Sequence, residues 1–284
     1  MNARIRQSVA VLALALLTTV SGLAQGGNGK YAEVNGLKMY YEVHGSGRPL
    51  VILHGAFGTV EGWAPLVPAL GKGRQLIIVE LQAHGRTADR GKNFTWEQLA
   101  DDVAALAKHL KLDKVDLFGY SMGGGVALGV AIRHPDLVSR LAILGASTGS
   151  LKDTYDAATF KQFSSITPDN FNFPQVKDPY DKVAPNPGNW KNLVLKVVDF
   201  GMKFPGFSDS QLKGIKAETL IIMGDRDVVT PEHAVKMMRQ IPGSRLSILP
   251  GCDHFVPFMG PERLLEPLIP FLDGKHYVPM QIGG

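Results

Sequence analysis

Short apolar runs of strand length alternate with helical segments along most of this 284-residue chain. Glycine or charged residues bound each run, as expected of strands whose two faces are both buried. This alternation predicts the α/β fold class, with a mostly parallel eight-stranded sheet and helices on both of its faces. The predicted strands cover residues 31–34, 37–43, 50–53, 76–81, 115–118, 141–144, 220–223 and 246–249.

Turn and cap residues mark where several of these elements begin and end. Asn35-Gly36, between the first two runs, predicts a two-residue hairpin turn. Thr95 and Gln98 predict a capping box at the start of a helix whose apolar face extends to residue 110. A last helix is predicted over about 261–272, where Pro267 is expected to kink or shorten it.

The alternation stops once, between residues 148 and 216. This segment has no clear strand pattern, yet it contains ten of the 23 aromatic residues of the chain. Because a structureless loop of that length is unusual inside a compact domain, we predict a small helical cap with an apolar roof over the site. The cap divides the remaining domain into residues 25–147 and 217–284.

The first 24 residues have the pattern of a secretory signal peptide. Arg4 and Arg6 precede an apolar run at 9–17, and small residues at 22–24 suit a cleavage site. The chain is therefore expected to be exported, periplasmic or secreted, without stable membrane association after cleavage. An uncleaved membrane anchor is the alternative, but the apolar run is short for a spanning helix.

Charge and cysteine content exclude several other functions. Loss of the two N-terminal arginines lowers the net charge from +4 to +2, with charges scattered along the chain, which does not suit a nucleic-acid partner. Cys252 is the only cysteine, so no intrachain disulfide can form, and we expect a small buried side chain there. The histidine spacing matches no metal motif, and no metal is predicted.

A serine lies between two glycines where a predicted strand meets a predicted helix. In Gly119-Tyr120-Ser121-Met122-Gly123, the serine is placed on a tight turn that projects its Oγ away from the sheet. A Cβ on either flanking glycine would strike the neighbouring strand or helix. This motif alone is also compatible with an ordinary glycine-rich turn.

Further reactive side chains follow other predicted strands. His54-Gly55 follows the third strand, Asp225 and Asp227 follow the seventh, and His254 follows the last. Ligands and catalytic groups of α/β sheets gather at such strand ends. The order along the chain is therefore serine, acid, histidine.

These four motifs together resemble the α/β-hydrolase superfamily, in its capped esterase-like branch, over about residues 31–272. The resemblance implies an α/β-hydrolase fold with a helical cap insertion. It also implies that Ser121 is the nucleophile, His254 the general base and Asp227 the acid that orients the imidazole. Asp225 is the alternative acid, while Asp253 suits a surface role.

The resemblance also assigns supporting roles around the serine. Backbone N–H groups of Ala56 and Met122 would form the oxyanion hole. Phe57 would contact substrate, whereas Trp63 suits the pocket or the core equally. His54 is expected to hydrogen-bond its own loop rather than transfer protons.

One loop departs from the family pattern. Similar hydrolases often have D-x-x-G-x-G-x-S where this chain has Glu80, Ala83 and Thr87 at the Asp, first Gly and Ser positions. The departure leaves the three reactive residues unchanged. It makes the contribution of this loop to pocket shape and substrate choice an open question.

The expected activity is hydrolysis of a small-molecule carboxylic ester with an apolar part, through an acyl-enzyme and without a cofactor. A serine rather than an aspartate at position 121 disfavours the dehalogenase and epoxide hydrolase branches. Lactonase, amidase, carbon–carbon hydrolase and cofactor-free haloperoxidase or perhydrolase activities remain alternatives, since similar serine triads serve them all. A non-catalytic ligand-binding protein of the same fold is the alternative of another class. The oligomeric state stays open.

Overall fold

A single eight-stranded sheet organises the computed structural model, which describes residues 29–275. The strand order across the sheet is β1-β2-β4-β3-β5-β6-β7-β8, in which β1, β2 and β4 pair antiparallel and all other neighbours pair parallel. The predicted mostly parallel eight-stranded sheet is therefore confirmed. The strands are β1 (Gly29–Val34), β2 (Leu37–Gly45), β3 (Arg48–Leu53), β4 (Arg74–Val79), β5 (Val115–Tyr120), β6 (Val138–Leu144), β7 (Glu218–Arg226) and β8 (Arg245–Asp253).

The predicted hairpin joins β1 to β2. Asn35 has a φ of 49° and Gly36 a φ of 75°. Two consecutive positive φ values are what a two-residue hairpin turn of the primed type requires, and asparagine and glycine adopt them most readily.

Helices cover the sheet on both sides. The α-helices are α1 (Val67–Leu70), α2 (Trp96–His109), α3 (Met122–Arg133), α4 (Leu151–Thr154), α5 (Ala157–Ser164), α6 (Pro174–Val183), α7 (Trp190–Lys203), α8 (Asp209–Lys213), α9 (Pro231–Gln240), α10 (Val256–Met259) and α11 (Pro261–Leu272). Val51 and Leu53 of β3 pack into one apolar core together with residues of α2 and α3. Leu50 and Ile52, on the opposite face, pack into a second core with residues of α11.

Two helix-end predictions need correction. The Thr95 hydroxyl accepts the Gln98 N–H, but the Gln98 side chain donates to Asp102 instead of returning to Thr95, so the predicted capping box is only half formed. Pro267 does not shorten α11, which spans twelve residues through it. Burial of one helix face, including Leu268, against the sheet outweighs the lost hydrogen bond.

Five helices, α4 to α8, lie between β6 and β7, where the sequence predicted helices at residues 148–216. We call this segment the helical insertion. Trp190 and Phe200 of α7 are buried in the core that also contains α2. Lys196 of α7 is buried and pairs with Asp89 at 2.5 Å, which ties the helical insertion to the sheet domain.

The N-terminal segment predicted as a signal peptide lies outside the described residues. In the part of the chain that is described, no helix is both long and apolar enough to cross a bilayer. Cys252 is half-buried rather than buried, and its sulfur lies near the Pro250 carbonyl. Its side chain packs at the border of the second core.

Candidate active site

The turn between β5 and α3 holds Ser121 in a rare backbone conformation. Its φ is 53° and its ψ is −119°, immediately before α3 begins at Met122. A Cβ built on Gly119 would lie 2.3 Å from the Gly123 carbonyl oxygen, and one on Gly123 would lie 2.4 Å from the His54 carbonyl oxygen. Neither position has room for a side chain, as the sequence predicted. The packing thus maintains a strained serine at the N-terminus of a helix.

Three side chains from distant parts of the sequence meet at this turn. His254 Nε2 lies 2.9 Å from Ser121 Oγ, and His254 Nδ1 lies 2.7 Å from Asp227 Oδ1. A carboxylate only accepts, so the Nδ1–H donates to Asp227 and leaves Nε2 to accept the serine proton. The Asp227 side chain is 0% exposed, whereas Asp225 is exposed. The structure therefore places Asp227, and not Asp225, on the imidazole.

Tyr120, which precedes the serine, supports the histidine. Its hydroxyl donates to the His254 carbonyl at 2.9 Å, and its ring lies against the imidazole with centroids 5.1 Å apart. Burial raises the pKa of the Tyr120 phenol, which keeps this donor protonated. The sequence analysis did not identify this role, because nothing in the motif indicates where the Tyr120 side chain points.

Gly145 is a second residue that the sequence analysis missed. It follows β6 with a φ of +58°, directly beside the pair of Asp227 and His254. A Cβ built there would lie 2.9 Å from His254 Nδ1 and 3.1 Å from Asp227 Oδ2. Only glycine leaves both atoms in their places. The one sequence signal is a glycine at the end of a predicted strand.

We expect Gly145→Ala to fold but to lower kcat about a hundredfold, the loss that a displacement of a reacting group by about 1 Å can cause. Gly243→Ala is the matched control, because Gly243 has a similar φ of +68° with nothing within 4 Å of a built Cβ. Steady-state kinetics and thermal melts of both variants are the measurement. Equal kcat in the two variants would show that the contact at residue 145 does not matter.

A cavity of about 90 Å³ opens beside Ser121, and we call it the serine cavity. The side chains of its lining are uncharged and largely apolar. They come from the turns after β3 and β5, from α2 and α3, from the chain after β6 and after β7, and from the helical insertion. The aromatic members are Trp96, Tyr155, Phe163, Phe200 and Phe204.

The two predicted oxyanion donors border this cavity. Ala56 and Met122 both line it next to Ser121. Met122 is the first residue of α3, where backbone N–H groups have no acceptor within the helix. An oxygen atom bound between these residues and the serine can therefore accept backbone hydrogen bonds.

The two aromatic side chains considered for the pocket lie elsewhere. Phe57 packs between Phe171 and Trp190 of the helical insertion, at centroid distances of 4.7 and 5.3 Å, and is not among the residues that line the serine cavity. Trp63 is buried in the second core, with its ring 5.4 Å from that of Phe118.

His54 fixes the turn that carries Ala56. The Leu81 N–H donates to His54 Nε2 at 3.0 Å, so Nδ1 carries the proton and donates to the Gly55 carbonyl at 2.7 Å. Burial lowers the pKa of His54 to about 4, which keeps the imidazole neutral. The expected structural role of His54 is confirmed.

The loop that departs from the family pattern supports the same turn. The buried Glu80 carboxylate accepts from the Val60 N–H at 3.2 Å and from the Arg86 guanidinium at 2.9 Å. Burial raises the pKa of Glu80 to about 7. Thr87 donates to the Glu80 carbonyl at 2.7 Å, and Ala83 adopts a φ of 65°, which a glycine would adopt at lower cost. The substituted residues thus hold the loop without touching Ser121.

Within residues 29–275, no group of three or more His, Cys, Asp or Glu side chains has an arrangement that could hold a metal ion. A serine next to an acceptor nitrogen, backed by a carboxylate and facing backbone N–H groups, can attack a carbonyl carbon and stabilise the resulting oxyanion.

Comparisons with known proteins identify the fold family of the chain. The sequence profile of the alpha/beta hydrolase fold family matches residues 48–261. The dihydrolipoyllysine-residue acetyltransferase component of an acetoin cleaving system from Pseudomonas putida is 29% identical over 266 residues, covering 88% of this chain and 70% of that protein. The 2-hydroxy-6-oxo-2,4-heptadienoate hydrolase of Pseudomonas putida is 29% identical over 258 residues, covering 80% of this chain and 90% of the relative.

The fold is also found among solved structures. A thermophilic esterase from Thermogutta terrifontis, with malate bound, superposes with a TM-score of 0.70 at 21% identity, and the match covers 88% of this chain and 99% of the esterase. The profile match, the sheet order and the strand-turn-helix around Ser121 all lead to one assignment. This chain belongs to the α/β-hydrolase fold family.

Proposed function

We propose that the protein is a serine hydrolase that cleaves carboxylic esters through an acyl-enzyme on Ser121. The observation that carries the proposal is the continuous hydrogen-bonded chain from Ser121 through His254 to Asp227. Membership of a hydrolase family and the hydrolase names of its relatives support the same reaction class.

In the proposed reaction, the Ser121 hydroxyl passes its proton to His254 Nε2 while Oγ bonds to the ester carbonyl carbon. The carbonyl oxygen becomes an oxyanion, which accepts hydrogen bonds from the Ala56 and Met122 N–H groups. When the carbon–oxygen bond to the alcohol breaks, His254 returns the proton to the leaving oxygen. Water then gives a proton to His254 while its oxygen attacks the acyl carbon, and His254 returns that proton to Ser121 Oγ as the acid is released.

The serine cavity favours a neutral ester over a carboxylate-bearing substrate. Burial of a carboxylate among uncharged, largely apolar side chains would leave its charge without a partner, which is costly. An apolar acyl group instead gains from the same surroundings.

Cleavage of a carbon–carbon bond is the second candidate. The observation that favours it is the similarity to the 2-hydroxy-6-oxo-2,4-heptadienoate hydrolase over 80% of this chain. Hydrolysis of a carbon–carbon bond next to a ketone carbonyl would use Ser121 as the nucleophile and the Ala56 and Met122 N–H groups as the oxyanion donors.

Hydrolysis of p-nitrophenyl acetate and of a 2-hydroxy-6-oxodienoate, measured side by side, tests the proposal. We expect ester turnover by the wild type, and a loss of roughly 10⁶-fold in kcat in Ser121→Ala, as for other serine triads. Ser165→Ala, at an exposed serine of the helical insertion, is the control and should retain full activity. If only the dienoate is turned over, the function is carbon–carbon bond hydrolysis rather than ester hydrolysis.

A further inference from the structure

The chemistry of ester hydrolysis fixes three directions around Ser121. The carbonyl oxygen must face the Ala56 and Met122 N–H groups, and the leaving oxygen must reach His254 Nε2, from which it takes a proton. The acyl substituent occupies the third, remaining direction from the carbonyl carbon. The two sides of the substrate therefore meet different parts of the protein.

The serine cavity contacts both proposed oxyanion donors and Ser121. Gly145, beside the pair of Asp227 and His254, also lines it, but His254 is not among those of its lining residues that the structure describes. The cavity volume of about 90 Å³ is well below the roughly 300–1,000 Å³ of pockets that hold drug-sized ligands. A cavity of this size suits a short acyl group.

Trp96 forms one wall of the serine cavity. A Cβ built on Gly125 of α3 would lie 2.2 Å from the Cη2 atom of Trp96, so the indole packs directly on the backbone of this glycine. Phe200 and Phe204 pack on the indole with centroid distances of 4.4 and 4.3 Å. This aromatic stack, shared between α2 and α7, limits how far an acyl chain extends.

Exposed apolar surface lies beside His254. Phe255, next to His254 in the chain, is 44% exposed, Phe258 is 47% exposed, and Phe173 of the helical insertion is 36% exposed. The Phe255 ring lies 6.0 Å from the imidazole and 6.2 Å from the Phe173 ring, while Phe258 lies 5.7 Å from Tyr120. We call these three phenylalanines the apolar rim.

We infer that the serine cavity takes a short acyl group and that the apolar rim takes the apolar alcohol of the same ester. The preferred substrates are then short-chain acyl esters of long or bulky apolar alcohols. This inference rests on the proposed function. The alcohol is the occupant of the rim because Phe255 is continuous with the histidine that protonates the leaving oxygen, and because covering exposed aromatic surface with an alkyl chain is favourable.

Octyl acetate and ethyl octanoate test the inference, since they are isomers that differ only in which side of the carbonyl carries the long chain. We expect kcat/KM for octyl acetate to exceed that for ethyl octanoate at least about tenfold, because each additional methylene that a pocket accepts or rejects can change the rate by about that factor. Acid release at concentrations below the solubility limit of each ester is the measurement.

Two sets of variants test the serine cavity and the apolar rim separately. Trp96→Ala should raise the relative rate for ethyl octanoate, whereas Phe258→Ser and Phe173→Ser should lower the relative rate for octyl acetate. The ratio of the two rates is the readout, so a general loss of activity does not affect it. Leu195→Ser, at a 56% exposed position of α7, is the control and should leave the ratio unchanged.

The outcomes distinguish this inference from the proposed function. If p-nitrophenyl acetate is turned over at Ser121 but ethyl octanoate is preferred, the assignment of the two sides is wrong while ester hydrolysis stands. If no ester is turned over, the proposed ester hydrolysis and this inference are both wrong. If the rim variants keep the ratio but convert an oligomer to monomers in light scattering, the rim is an interface between copies, and the inference is overturned.

Discussion

Replacing Asp227 by asparagine is expected to lower kcat for ester hydrolysis about 10⁴-fold, the loss typical of this change in a Ser-His-Asp triad. The carboxylate accepts the Nδ1–H of His254 at 2.7 Å and is 0% exposed. An asparagine oriented with its NH₂ towards Nδ1 would favour the wrong tautomer, in which Nε2 carries the proton and cannot accept another from Ser121. The fold should be preserved because the two side chains have the same shape.

Asp225→Asn is the matched control for this prediction. Asp225 is exposed and lies only two residues from Asp227, so the same chemical change there should alter kcat less than about threefold, as surface changes usually do. Steady-state kinetics with p-nitrophenyl acetate and far-UV circular dichroism of both variants are the measurements. A larger loss of kcat in Asp225→Asn than in Asp227→Asn would show that Asp225, and not Asp227, is the acid of the triad.

The free energy of unfolding is expected to fall steeply as pH decreases from about 6.5 to about 4. Burial lowers the pKa of His54 to about 4, of His84 to about 3 and of His233 to about 4. The unfolded chain has an ordinary histidine pKa of about 6.5, so in this window it binds protons that the native state does not. Stability therefore rises with pH there, by up to about 1.4 kcal/mol per pH unit for each such histidine. Glu80 opposes this trend, since its pKa is raised to about 7.

His84→Asn isolates the contribution of one histidine. His84 is fully buried, and its Nδ1 lies 2.9 Å from the Gln82 carbonyl, to which an asparagine amide can also donate. We expect the pH dependence of the unfolding free energy between pH 6 and 4 to become shallower by about 1.4 kcal/mol per pH unit. Urea titrations at several pH values measure it, with His109→Asn at an exposed position of α2 as control. An unchanged slope in His84→Asn would mean that this imidazole is protonated in the folded protein.

The alternation of apolar runs and turns was sufficient to predict the sheet, because the strands are short and clearly bounded and the central ones, such as β5, are buried on both faces. The hairpin at Asn35-Gly36 and the turn at Ser121 were equally predictable, since local backbone sterics determine both. The length of α11 was not, because its continuation past Pro267 depends on packing against the sheet.

The candidate site shows the same division between local and tertiary information. Strand ends and motif order indicated Ser121 and His254, and the spacing shared with similar hydrolases favoured Asp227 over Asp225. The structure adds a register irregularity between β7 and β8, located between Gly224 and Arg226 just before Asp227. Gly145 supports the site only through contacts made in the folded chain.

The aromatic content of residues 148–216 predicted an apolar roof without showing which rings would contribute to it. Phe200 and Phe204 of the helical insertion do line the serine cavity, and Trp96 of the sheet domain joins them. Phe57 follows Ala56 in sequence, yet its φ of 64° turns this residue into a left-handed conformation and its ring packs in the helical insertion. Such reorientation by one backbone torsion is invisible in a motif.

The labelling of Ser121 by a fluorophosphonate probe tests the central claim most directly, because only an activated serine reacts with it. The account predicts a single adduct on the peptide that contains Ser121, labelling at least about a hundredfold slower in His254→Ala, and none in Ser121→Ala. A folded wild-type protein that resists the probe, or an adduct on another serine, would contradict the account and favour a ligand-binding protein that keeps the fold without the chemistry.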